Sequence, residues 1–128
     1  MTLLHVAYTL NILVLIPVVL LALLGGEAGN RRVFQDKFPE SEGTRTIVGS
    51  LWTAILVGSC IGLFHPIQMS PILILQVVYK SVWLLVFVAP RLAAGRGREV
   101  PWGVTIVFLV VVVSYPWIIP WLLLFGSH

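Results

Sequence analysis

Residues 71–89 read PILILQVVYKSVWLLVFVA, an apolar run with a single charge, Lys80, at its centre. Its length matches the roughly 20 residues that a bilayer-crossing helix needs, and it lacks the alternation of a membrane barrel strand. Outward from it lie three further uncharged blocks, 2–24, 46–64 and 104–125, bounded by Gly, Pro and charge clusters. Stretches such as Val110 to Val113 would favour strand in water, but lipid offers a backbone no partners outside its own helix. The expected fold is an all-α membrane protein, with 1–128 forming one domain, a four-transmembrane-helix antiparallel bundle.

Composition points the same way. Of 128 residues, 59% are hydrophobic and 10% charged, where a soluble domain carries about a quarter charged residues, so a water-soluble globular fold is excluded. The formal net charge of +3 does not indicate nucleic acid, because the basic residues outside Lys80 sit in connectors beside the spans. Cys60 is the only cysteine, which leaves no intramolecular disulfide and no cysteine-based metal site. The first block lacks a basic leader region and its apolar stretch is long for a secretory signal, so it is expected to be a retained span.

The connector 25–45 carries Glu27, Arg31, Arg32, Asp36, Lys37, Glu40, Glu42 and Arg45, whose charges cancel. Val33, Phe34 and Phe38 suit one amphipathic turn on the membrane surface, but the stretch is short and a solvated loop is expected. The second connector, 65–70, has no Lys or Arg and suits a tight hairpin; the third, 90–103, brings Arg91, Arg96, Arg98 and Glu99. In a four-span chain the first and third connectors share a side. They then hold every Lys and Arg except Lys80. Basic residues near span ends are retained in the cytoplasm, so both charged connectors are expected inside and both termini outside. Trp102, Trp117 and Trp121 suit interfacial anchoring.

Ser50, Ala54, Gly58 and Gly62 recur every four residues on the second span, a ridge of small side chains where another helix approaches closely. It serves either an oligomer interface or packing within the chain. Pro116 and Pro120 free the carbonyls of Val112 and Pro116, and Pro17 frees that of Leu13.

Lys80 lies nine residues from Pro71 and nine from Ala89, roughly 13 Å from either end of its span, too deep to snorkel. A midplane Lys costs at least about 2.5–3.5 kcal/mol and ordinarily faces a bundle interior or a wet cavity. No Asp or Glu lies in any of the four blocks. A neutral amine, an amine solvated by carbonyls and waters, and a cation paired with an anionic ligand, a lipid headgroup or a partner carboxylate all remain open. At 100° per residue Gln76, Lys80, Trp83 and Phe87 share a stripe, with Tyr79 at its edge. Asn11, Ser114 and Tyr115 come within roughly 3 Å of the same depth. The candidate ligand-binding set is therefore Lys80, Gln76, Tyr79, Asn11, Tyr115 and Trp83. His5, Tyr8, Gln76 and His65 enrich the half of the chain near the termini, so the pocket is expected to open outward or laterally into the outer leaflet. His5, His65 and His128 have no metal-ligand spacing, and Ser114 and Cys60 lack an evident base, so no catalytic or metal residues are assigned. The sequence leaves any cofactor unknown.

The stretch Gly62-Leu63-Phe64-His65-Pro66, followed by Pro71-Ile72-Leu73-Ile74-Leu75-Gln76 and Tyr79-Lys80-Ser81-Val82-Trp83-Leu84, resembles a segment of small four-span bacterial membrane proteins of uncharacterised activity, over about a fifth of the chain. The resemblance implies a bacterial inner membrane and a four-helix plan, and carries no activity. The leading functional expectation is the binding or carriage of a lipophilic anion, a carbonyl compound or a lipid around Lys80. An accessory subunit docking on a larger membrane complex and a homo-oligomeric channel or transporter are the alternatives; a membrane-embedded enzyme is expected least. The expected partners are the bilayer and such a ligand or complex, with no nucleic acid.

Overall fold

The computed structural model describes residues 2–126, and every regular element among them is helical. Helix α1 (Leu3–Leu24) is capped by Thr2, whose hydroxyl accepts from the His5 backbone N–H while the His5 ring turns back to Thr2. This reciprocal arrangement occupies donors that a first helical turn otherwise leaves free. Gly26, at φ +58°, redirects the chain. Gly29 then lets α2 (Gly26–Phe34) lie directly on the end of α1, where any Cβ would run into the Leu21 carbonyl.

Helix α2 corrects the expectation of a solvated loop in the first connector. Val33 is buried, Phe34 packs on Phe38 and Trp52, and Phe38 meets Phe87 edge-on. Nine residues are too few for periodicity to decide; the rings of Trp52 and Phe87 on the long helices supply the reason to fold. The following helix, α3 (Glu42–Gly62), is capped by Ser41. In its first turn Arg45 is buried, held by Glu40 at 3.2 Å, and donates from Nη1 to the Ala22 carbonyl at 2.6 Å. A basic group there complements the negative, carbonyl end of α1.

The third block forms α4 (Pro71–Trp83), which passes through a π turn (Leu84–Val88) into α5 (Ala89–Ala93). This rod outlasts the expected end at 89. Pro90 has no N–H to bond backward, and the wider π turn just before it accommodates that gap without a break. The fourth block departs further from expectation. Helix α6 (Trp102–Ile118) tolerates Pro116, but Ile119 is extended, with ψ 128°, before α7 (Trp121–Phe125) resumes. Residues 104–125 are therefore not one helix, because Pro120 disfavours the helical conformation in the residue before it. The Pro116 carbonyl that Pro120 frees accepts instead from the Trp121 indole at 2.8 Å.

Three helices, Leu3–Leu24, Glu42–Gly62 and Pro71–Ala93, are long and apolar enough to cross a membrane, and Trp102–Ile118 is shorter, at 17 residues. Leu13, Val86 and Val113 on the outer faces are each about two-thirds exposed, as suits a lipid environment. Helix α1 packs closely along α3 and α4 along α6, while the two pairs touch more sparsely. One apolar cluster, around Tyr8, Leu73 and Tyr115, fills the end near the termini; another, around Leu15, Trp52 and Phe108, fills the connector end. The buried polar residues Asn11, Ser59, Gln76 and Lys80 occur along the helices between them.

Candidate functional site

Gln76 and Lys80 are one helical turn apart on α4, on the face turned inward. They are 1% and 5% exposed, so the charge predicted at midspan is inside the protein. Lys80 Nζ donates to Gln76 Oε1 at 3.0 Å and stands 5.0 Å from the centroid of the Phe108 ring and 5.6 Å from that of Tyr79. Aromatic faces at this range attract a cation. No carboxylate among the described residues forms an ion pair with it. Because a lysine can only donate, the bond to Oε1 fixes which way the glutamine amide points. Its Nε2 then lies buried without a hydrogen-bond partner among the described residues.

The polar groups across from them are arranged differently. Tyr115 OH donates to Asn11 Oδ1 and lies 3.1 Å from the Ala7 carbonyl. Asn11 Nδ2 donates to Ser59 Oγ at 3.0 Å, and Ser59 passes the chain to the Ile55 carbonyl at 2.8 Å. This network ties α6 to α1 and α1 to α3. Its acceptors are occupied; besides the second N–H of Asn11, the uncommitted donors of the layer among the described residues belong to Lys80 and Gln76.

A cavity of about 170 Å³ brings Asn11, Gln76, Lys80 and Tyr115 to one wall system between α1, α4 and α6. A second, of about 250 Å³, shares Val14, Leu15, Lys80 and Val107 with it. This larger space runs past Val18 and Leu21 to Arg32, Gln35 and Gly103 at the connector end. Polar residues alone had placed the opening near the termini; the packing leaves the larger void on the opposite side of Lys80. There the valines of α6 are too small to fill the gap to α1, whereas Tyr8, Leu73 and Tyr115 close the other end.

Tyr79 lines the second cavity and also a third, of about 280 Å³, walled by Phe34, Phe38, Trp52 and Trp83. Trp83 lines only the third cavity of these, stacked on Phe87 and edge-on to Phe108. Ser114 stands apart, donating to Val110 of its own helix. The small-residue ridge also divides. Gly62 is covered by the Tyr8 ring and Gly58 by Ile72, whereas Ser50 and Ala54 are exposed. His5 Nε2 is 3.1 Å from the Leu63 carbonyl, and His128 lies outside the described residues.

Two residues of this site escaped the sequence reading. Phe108 was detectable in principle, since Phe108, Val111 and Tyr115 recur at helical spacing and are all buried. Ser59 was not, because its place beside Asn11 depends on how far α3 slides along α1. No family model, curated protein or solved structure matches the chain.

Proposed function

We propose that this is a four-span membrane protein that binds a lipophilic molecule through an oxygen-acceptor head, a carboxylate or a carbonyl, at Lys80 and Gln76. The observation that carries the reading is the pair of buried donors on one cavity: an ammonium with a single protein acceptor and a glutamine N–H₂ with none. A buried donor without a partner costs about 1–3 kcal/mol, and an acceptor on the ligand would recover that. In this reading 102–125 makes the fourth crossing, the short helix α6 being extended by Ile119, Pro120 and α7. Both basic connectors face the cytoplasm of a bacterial inner membrane and both termini face outward.

Mass spectrometry of small molecules that leave a mild-detergent preparation with the protein tests the reading. Wild type should retain a stoichiometric acceptor-bearing ligand and Lys80→Met should lose it while staying folded; equal retention by both would sink the assignment. A cysteine placed in 25–45 should resist impermeant thiol reagents in intact cells, and ready labelling would reverse the topology. The exposure of Ser50 and Ala54 favours a second reading, an accessory subunit docked through that face of α3 on a larger complex. A protein recovered stoichiometrically in place of a small molecule would select it.

A further inference from the structure

The chemistry of the occupant can be narrowed from the shape of the space on either side of Lys80. The two cavities meet at the shared residues Val14, Leu15, Lys80 and Val107, and the α1 wall of this slot runs in all from Leu10 to Leu21, roughly 16 Å at 1.5 Å per residue. The walls between are mainly apolar, with Val14, Val18 and Val107 among them. Helices α1 and α6 bound the slot along its length. Its volumes, about 170 and 250 Å³, suit one extended chain rather than two. On the side of Lys80 toward the termini Gln76 Nε2 stands one turn away, buried and without a hydrogen-bond partner among the described residues. Donors from two successive turns match the two oxygens of one carboxylate. A phosphate head carries more charge than one ammonium balances, and Lys80 is the one charged side chain among the described residues that line the smaller cavity.

We infer that the ligand is a single-chain fatty carboxylate, seated with its head at Lys80 and Gln76 and its chain running between α1 and α6 toward Arg32 and Gln35. This deepens the proposed acceptor-binding role of Lys80 and rests on it. The chain fills the void left by the valines, and the carboxylate replaces the missing counter-ion of the lysine. Passage to the slot is from the connector end, where Arg32 has no ion-pair partner among the described residues and stands at the mouth.

The test uses the full chain, stripped of lipid, with native mass spectrometry to count added octanoate, palmitate and methyl palmitate on each molecule. Palmitate should bind at least tenfold more tightly than either octanoate or methyl palmitate, the first ratio reading the slot and the second the head. Val104→Trp, which fills the connector end of the larger cavity and leaves the part beside Lys80 open, should abolish the preference for palmitate over octanoate while leaving octanoate bound. Leu21→Trp serves the same purpose if the first variant does not give a monodisperse helical protein. If octanoate and palmitate bind wild type alike and both require Lys80, the single-chain slot is wrong and the acceptor site stands. If methyl palmitate matches palmitate, the head is not read as a carboxylate. Palmitate binding that is indifferent to Lys80→Met would overturn both the slot and the site beneath it.

Discussion

The seam between α1 and α3 and the slot between α1 and α6 share one helix and differ in almost everything else. In the seam, Gly49 meets Ala22 and Leu23, Gly62 meets the Tyr8 ring, and Asn11 and Ser59 bond to each other. In the slot, valines face one another across open volume, Lys80 has Gln76 Oε1 as its one hydrogen-bond partner, and Gln76 Nε2 has none among the described residues. Polar groups deep in a helical bundle therefore do two kinds of work here. Those that are mutually paired fasten helices together, and those left incomplete carry the proposed binding role.

Substitutions in each region would sharpen or break that contrast. The largest effect is expected from Gly62→Leu, because the space a side chain needs is already taken by the rigid Tyr8 ring. Forcing the helices apart should cost about 3 kcal/mol, read as loss of the folded, monodisperse species; an unchanged melting curve would show that the seam is not tight. Asn11→Leu comes next. It removes the donor to Ser59 Oγ and leaves the Tyr115 hydroxyl only the Ala7 carbonyl at 3.1 Å, and should cost about 1–2 kcal/mol, seen as a lower midpoint of helical unfolding. Lys80→Met sets the control: it removes a buried charge that has no carboxylate partner among the described residues, which offsets the acceptor it leaves open at Gln76 Oε1, and should leave the midpoint unchanged or raise it. Equal destabilisation by Asn11→Leu and Lys80→Met would erase the distinction between paired and incomplete polar groups.

The smallest effect lies outside both regions. Hydrogen bonds from Arg96, at 2.6 Å, hold the exposed Glu99 carboxyl below its usual range. With the folded value depressed, this clamp contributes above the ordinary carboxylate range and is lost as pH falls through the lowered value. Exposed ion pairs count for little, so acidification should only quicken protease cutting across 94–101. Glu99→Gln should remove that pH dependence without altering the unfolding midpoint; a shift in the midpoint would mean the connector holds the bundle together.

Much of the molecule was readable residue by residue. Three long helices follow from the lengths of uncharged sequence, and the depth of Asn11, Lys80 and Tyr115 follows from helical rise. Where reading failed, the cause was local in one case and distant in another. Ile119 leaves the helix because of the proline that follows it, a rule visible in the sequence but weighed below the apolar run to Phe125. Helix α2, by contrast, depends on Trp52 and Phe87, which approach it only when the long helices have assembled.

The sequence by itself determined the helical character of the chain, the placement of its charges in connectors, and a lysine at midspan with no acid at its level. Those are consequences of composition and of a fixed rise per residue, and they hold before any helix meets another. Which groups become partners was decided only by tertiary structure. The slide of α3 along α1 gives Asn11 its serine, and the looser fit of α6 leaves Gln76 and Lys80 beside a void. Both outcomes depend on how closely side chains of particular size let two helices approach, and such distances are not encoded in either helix alone.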